Sequence, residues 1–353
     1  MNDLLLAKNT AYLIDKAIIL NPAEVMKSLG DSPAFAKGTS IKKHSLIDAS
    51  QLKFLCKFFW NDHFEKPIIE GFRGTGVRKI NEDEYEIVIY GNQQTCGILK
   101  SKLPFIQNVC KSKDIVCDEI GETSFACNNH FLQGGIRLKS QNGNGSGILG
   151  GWLKRQPSVS ERRKFVGVTN SHVADILINS QIGNREIYTD NNIMAGEIEK
   201  NISLKPFIPT SKNTTNLADI ALIRPGKATA IDQTLTCISN KPFNESDADD
   251  LLSNNNSNII LCCDHCQYNN IGNITAILVS FYMSNNGQIY KFEDVIQIDK
   301  GEIGDSGSLV LDTSENICGL FFAISRNKGN GKKYGYANKW EYVKREAGIK
   351  FSY

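Results

Sequence analysis

After Gly134-Gly135 the chain turns into a succession of short strands punctuated by turns, and it stays that way for roughly 220 residues. Ile136-Arg137-Leu138 is followed by the turn-forming run Asn142 to Gly147, whose residues tolerate positive φ. Ile148 to Leu153, Lys164 to Val168, Ile220 to Ile223, Ile259 to Cys262, Ala276 to Val279 and Cys318 to Phe322 continue the series. Short strands at this spacing predict a sandwich or barrels, not an α/β sheet. The polar stretches Lys241 to Asp250 and Ser253 to Asn258 are where two halves would join, with a boundary near 230–256.

The chain ahead of this region reads differently. Residues 1–65 are predicted to be helical: Asn21, Pro22 and Glu24 resemble a helix start that Gly30 would end. A further helix opens at Ser50, with Leu52, Leu55, Cys56 and Phe59 on one stripe that Phe54, Phe58 and Trp60 widen. Residues 66–130 read as a small α/β module with strands at Tyr85–Tyr90 and Asp114–Cys117. Gly71, Gly74 and Gly76 lack the following helix that a phosphate loop needs, so they fit a bulged hairpin. Residues 131–353 form the third unit.

Composition narrows the function classes. Forty basic and 38 acidic residues give a formal charge of +2, so no global field favours nucleic acid or an anionic membrane. Lys8, Asp15 and Lys16 interrupt the apolar runs at the N-terminus, which leaves neither a secretory signal nor a membrane span. The expectation is a cytoplasmic chain whose ten cysteines are thiols. Cys262-Cys263-Asp264-His265-Cys266 is the one dense group of metal-ligand types; it lacks a second ligand pair at zinc spacing, so no metal and no cofactor are expected. Arg162 to Lys164 and Lys328 to Lys333 read as solvated loop charge, and His44, His63 and His130 as structural or solvent-facing.

Three segments carry chemistry. His172 follows a strand in Val168-Thr169-Asn170-Ser171-His172, Asp219 precedes one in Leu217-Ala218-Asp219-Ile220, and Ser306 lies in Gly304-Asp305-Ser306-Gly307. Each has a bland reading alone, as a capping histidine, a turn acid and a tight turn. Together they fall in the chain order His, Asp, Ser of one arrangement of the nucleophilic triad. A serine hydroxyl needs an imidazole to take its proton, and the imidazole needs an acid to fix its tautomer. The Gly304 and Ser306 N–H groups would receive the oxyanion, and Gly307 would leave room for substrate passing close to the backbone.

These segments resemble those of the trypsin-like (chymotrypsin-fold) serine peptidases, over roughly residues 131–353 and in the manner of intracellular bacterial and plant members. Gly134-Gly135-Ile136 and Gly147 to Gly150 are similar to the opening strands, Gly319 to Ala323 to the strand that pairs with substrate, and Ala337 to Val343 to the start of the closing helix. The α/β module also loosely resembles that of the plant Narrow-leaf-type peptidases. The resemblance implies two six-stranded β-barrels with the site in the cleft between them. It also implies a pocket for the side chain preceding the cleaved bond, built from Lys300, Gly301, Phe321, Phe322 and Ala323. A lysine at the base would favour an acidic side chain; the alternative is that Lys300 points to solvent or pairs with Asp299 or Glu302.

The expected function is a regulated serine endopeptidase acting on a protein or peptide, with residues 1–130 as the place for a regulatory partner. A defence effector and a housekeeping protease fit equally. A reading from another class is a catalytically silent barrel pair that serves as a protein-binding module; an esterase on the same machinery is a third.

Overall fold

The computed structural model describes residues 3–20, 45–61, 71–81, 84–125, 136–140, 146–155, 165–179, 185–189, 192, 194–208, 214–226, 244–254, 256–262, 271–285, 287–326, 331–348 and 351–352. The helix expected at Asn21 to Gly30 lies outside them, as do Cys263 to Cys266, Arg162 to Lys164, His44, His63 and His130.

Helix α1 (Leu4–Ile19) is capped by Asp3, whose carboxylate accepts the N–H groups of Leu5 and Leu6. It is buried nearly all round, and Ala7, Ala11 and Ala17 allow close approach. Helix α2 (Ala49–Asn61) starts one residue before the expected Ser50 because Asp48 takes the cap: its carboxylate accepts from Ser50 and Gln51, and Gln51 Oε1 accepts the Asp48 N–H. Leu52, Leu55, Cys56 and Phe59 are buried as the stripe requires, whereas Phe54 is exposed and stands 5.4 Å from the Phe105 ring. Strands β1 (Phe72–Asn81) and β2 (Glu84–Gly91) form a hairpin, with a register shift at Thr75/Gly76 where β1 meets its other neighbour.

Helix α3 (Gln93–Cys110) was hidden in the sequence because Gly97 and Pro104 interrupt it. Burial of Leu99, Ile106, Val109 and Cys110 overrides those breakers. It crosses to β3 (Ile115–Glu119), which lies parallel to β2, as a βαβ connection demands. Helices α1, α2 and α3 share one apolar core with this sheet. Strand β4 (Glu122–Phe125) follows at once.

The first barrel comprises β5 (Ile136–Lys139), β6 (Ser146–Leu149), β7 (Gly151–Arg155), β8 (Phe165–Thr169), β9 (Glu186–Thr189) and β10 (Met194–Asn201). After the two-residue β11 (Thr215–Asn216) comes its last strand, β12 (Ala221–Pro225). Hydrogen bonding runs β7-β8-β12-β10-β9-β5-β6, a nearly closed ring around Leu138, Trp152, Leu177 and Ile223. Helix α4 (Ser171–Asn179) leaves β8 directly.

The second barrel comprises β13 (Asn258–Cys262), β14 (Ile271–Asn285), β15 (Gln288–Ile298), β16 (Leu309–Asp312), β17 (Ile317–Arg326) and β18 (Lys333–Lys339). The order β15-β18-β17-β16-β13-β14 is closed by the β14–β15 pairing. Overlapping the two polar stretches expected to join the halves, helix α5 (Ala248–Ser253) is capped by Asp247 and buried through Leu251 and Leu252, which lie between those stretches. Helix α6 (Trp340–Ala347) and a short β19 (Phe351–Ser352) on β7 end the chain. The architecture is a mainly β pair of packed barrels, seven-stranded and six-stranded, the first with one strand more than the six expected.

The long β14–β15 hairpin does more than close the barrel. β1 pairs with β14, so β3-β2-β1 extends the second barrel's own sheet. A core shared by Val166, Val168, Leu222, Leu309, Leu320 and Trp340 holds the two barrels against each other.

Candidate active site

The segment Thr169-Asn170-Ser171-His172 sits where β8 turns into α4. The first turn of any helix has N–H groups with no partner inside the helix. Here one oxygen of Asp219 accepts two of them, from Ser171 at 2.7 Å and His172 at 3.2 Å. The other oxygen bonds His172 Nδ1. Asp219 therefore caps α4 and orients the imidazole with the same carboxylate. Its own backbone is fixed from both sides: Asn170 Nδ2 donates to Asp219 O at 2.9 Å, and Asp219 N–H donates to Asn338 Oδ1 at 2.9 Å.

With Nδ1 bonded to a carboxylate, the ring's proton lies on Nδ1 and Nε2 is left as an acceptor. Nε2 is 3.0 Å from Ser306 Oγ. The same hydroxyl is 3.1 Å from Phe322 O, so its one proton has two acceptors to choose between. Asp219 and Ser306 are fully buried, and His172 is 6% exposed.

The turn around Ser306 is built from within. Asp305 Oδ2 accepts the Glu302 N–H at 2.8 Å, and Asp305 N–H donates to Glu302 O at 3.2 Å. Gly304 has φ +109°, with open space where a Cβ would be. Among the described residues, neither the Gly304 nor the Ser306 N–H has an acceptor in reach. Ser306 O accepts from Ile148 N–H at 2.8 Å, which ties the turn to β6 of the other barrel.

Gly307 packs closely against the first barrel. Its φ is +99°, and a Cβ there would lie 2.1 Å from Ile148 O and 2.8 Å from Thr169 Oγ1. The space that its missing side chain leaves is filled by the first barrel's backbone. Gly307→Ala adds backbone strain to a clash with a carbonyl that is itself held by Thr169 Oγ1 at 2.7 Å. It is expected to destabilise the chain by about 3 kcal/mol or more. A urea midpoint unchanged from wild type would contradict this.

The five expected pocket residues are placed as follows. Gly301 (φ +122°) and Phe321 do meet: a Cβ on Gly301 would lie 2.3 Å from the Phe321 ring, and one on Gly335 2.4 Å from it. Phe321 belongs to the core of the second barrel with Ile298, Val310 and Ala337. Phe322 and Ala323 fall in a different cluster, where Phe322 stands 4.7 Å from Phe292. The stem of Lys300 crosses Gly272 at the start of β14. Cys262 ends β13 as a buried thiol.

Asn338, Asn170, Ile148 and Thr169 support the site and were not singled out in the sequence. Asn170 could have been, as a polar neighbour of His172 at a strand end. Asn338 gives no local signal, since only the meeting of the barrels brings it to Asp219.

No protein-family model and no curated protein sequence matches the chain. Among solved structures, it is similar to a glutamic acid specific serine protease, 12% identical, with a TM-score of 0.40 over 63% of this chain and 100% of that one. It is also similar to an alpha-lytic protease homolog, N4 (14% identical, TM-score 0.38, 62% of this chain and 97% of that one). A third is Thermobifida fusca Protease A (11% identical, TM-score 0.39, 62% of this chain and 96% of that one). No helix among the described residues is long and apolar enough to cross a membrane.

Proposed function

We propose that the protein is a serine endopeptidase that hydrolyses peptide bonds through His172, Asp219 and Ser306. The observation that supports this most is the continuous hydrogen-bonded line from Asp219 Oδ2 through the imidazole to Ser306 Oγ, 3.0 Å from Nε2. When the hydroxyl proton turns from Phe322 O to Nε2, it can pass to the imidazole as Oγ bonds the scissile carbonyl carbon. The negative oxygen that forms is met by the Gly304 and Ser306 N–H groups, and Asp219 stabilises the imidazolium. His172 then returns the proton to the departing amine as the C–N bond breaks. Water, deprotonated by the same nitrogen, releases the acyl group. The reaction needs no cofactor, and its substrate is a protein or peptide.

A fluorophosphonate tests the nucleophile without a known substrate. It is expected to attach to the wild-type chain at Ser306 and to leave Ser306→Ala unlabelled. A label that persists in Ser306→Ala, or a chain that stays unlabelled even when its site is opened as described below, counts against the proposal.

A further inference from the structure

Strand β17 has two edges. One pairs with β18 from Gly319 to Arg326. The other pairs with β16 only as far as Leu320. Beyond that, the nucleophile turn takes over: Phe321 N–H donates to Ser308 O, Gly307 N–H to Phe321 O, and the Ser306 hydroxyl lies at Phe322 O. From Ala323 onward the edge is taken by β4, in the antiparallel register Phe125↔Ala323, Ser124↔Ile324, Thr123↔Ser325 and Glu122↔Arg326.

The direction of β4 matters. It runs toward Ser306, and its last residue lies opposite Ala323, one position from the carbonyl that Ser306 Oγ touches. An extended peptide whose carbonyl is to be attacked must bring that carbonyl beside Phe322. Its preceding residues would then lie along Ala323 to Arg326, since an extended chain binds by adding a strand to an open edge. β4 fills that edge, and Ser306 is 0% exposed.

β4 is also firmly delivered. Two residues separate it from β3, which is hydrogen-bonded through β2 and β1 to β14 of the same barrel. The Ile120 N–H is held by Gly91 O at 3.0 Å. A segment tethered this closely acts at a local concentration on the order of millimolar.

Building on the peptidase reading, in which the acyl-side residues of an extended peptide would add along β17, we propose that β4 occupies that edge, from Ala323 to Arg326, in cis as a competing strand. The described state is then latent toward other peptides until β4 leaves.

The test uses the full chain in a Ser306→Ala background, where nothing is turned over, and a fluorescent peptide copying residues 119–126. Thr123→Pro/Ser124→Pro removes two successive N–H groups, so whichever one faces β17 is lost. Fluorescence anisotropy is expected to show the peptide binding at least tenfold tighter to the proline chain than to its parent. Equal affinity, or no binding to either chain while both show a cooperative thermal transition, overturns the proposal. Should the proline chain fail to fold, Thr123→Gly/Ser124→Gly carries the same comparison with pairing weakened instead of abolished. With Ser306 restored, the proline chain is expected to take up fluorophosphonate at least tenfold faster than wild type. Absent labelling in both would defeat the peptidase reading, yet the anisotropy result would still decide whether β4 competes for the edge.

Discussion

Asp219→Asn is expected to slow the acylation of Ser306 by about 10^4-fold while leaving the fold intact. The direction follows from which atoms the carboxylate serves. One oxygen accepts two backbone N–H groups, from Ser171 and His172, and the other accepts from His172 Nδ1. An asparagine in the same place must put its oxygen toward the two N–H donors, since its NH2 group would face them unfavourably. Its NH2 then points at Nδ1, and Nδ1 can only accept. The ring proton moves to Nε2, where it faces Ser306 Oγ as a donor, and the base is lost. The helix cap survives because the amide oxygen still serves it. The rate of fluorophosphonate labelling, measured beside the thermal midpoint, separates these effects. A loss of less than tenfold would mean that Asp219 only caps α4.

Lys339→Met is expected to cost about 3–5 kcal/mol of stability, because it leaves buried carboxylates short of a cation. Lys339 Nζ lies 2.7 Å from Asp249 and 3.0 Å from Asp294, and Lys8 Nζ lies 2.7 Å from each of the same two carboxylates. Tyr342 donates to Asp294 at 2.8 Å. Two cations and two anions thus close a nearly neutral cluster that joins α1, α5, β15 and the end of β18. Lys8, Asp294 and Lys339 are each less than 8% exposed.

The cluster also sets a pH dependence. Burial works against ionisation of Asp294, but Lys339 and Lys8 outweigh it and hold the carboxyl well below the usual carboxylate range. Asp249 is lowered by the same pair against the same opposition from burial. A carboxyl depressed on folding stabilises fully above its unfolded pKa, near 3.9, and loses that contribution as pH falls toward its folded value. The wild-type denaturation midpoint is therefore expected to fall steeply below about pH 4. Lys339→Met should show a lower midpoint at pH 7 and a shallower fall in acid. An unchanged midpoint at pH 7 would rule out a structural role for the cluster.

Three kinds of information were legible along the chain. The β texture after residue 135, the apolar stripe of α2 and the strands at 85–90 and 115–117 follow from local periodicity, which each segment carries by itself. His172, Asp219 and Ser306 stood out because their types, order and glycine-flanked turn are local too. The charges of α1 were also visible, but only as interruptions of an apolar run. Lys8 is buried against Asp249 and Asp294, and Asp15 against Ser280 and Lys291, partners that no spacing rule connects to α1.

What the tertiary structure decided is pairing. Asn338 meets Asp219, Ile148 closes on Gly307, β1 extends the sheet at β14, and β4 lies on β17 beside Ser306. Pairing also puts Phe321 in the barrel core beside Gly301 and lays the Lys300 stem across Gly272. A strand's sequence specifies that it will be extended and which face is apolar. Which edge it joins depends on the edges left open elsewhere, and backbone hydrogen bonds are the same for every residue but proline.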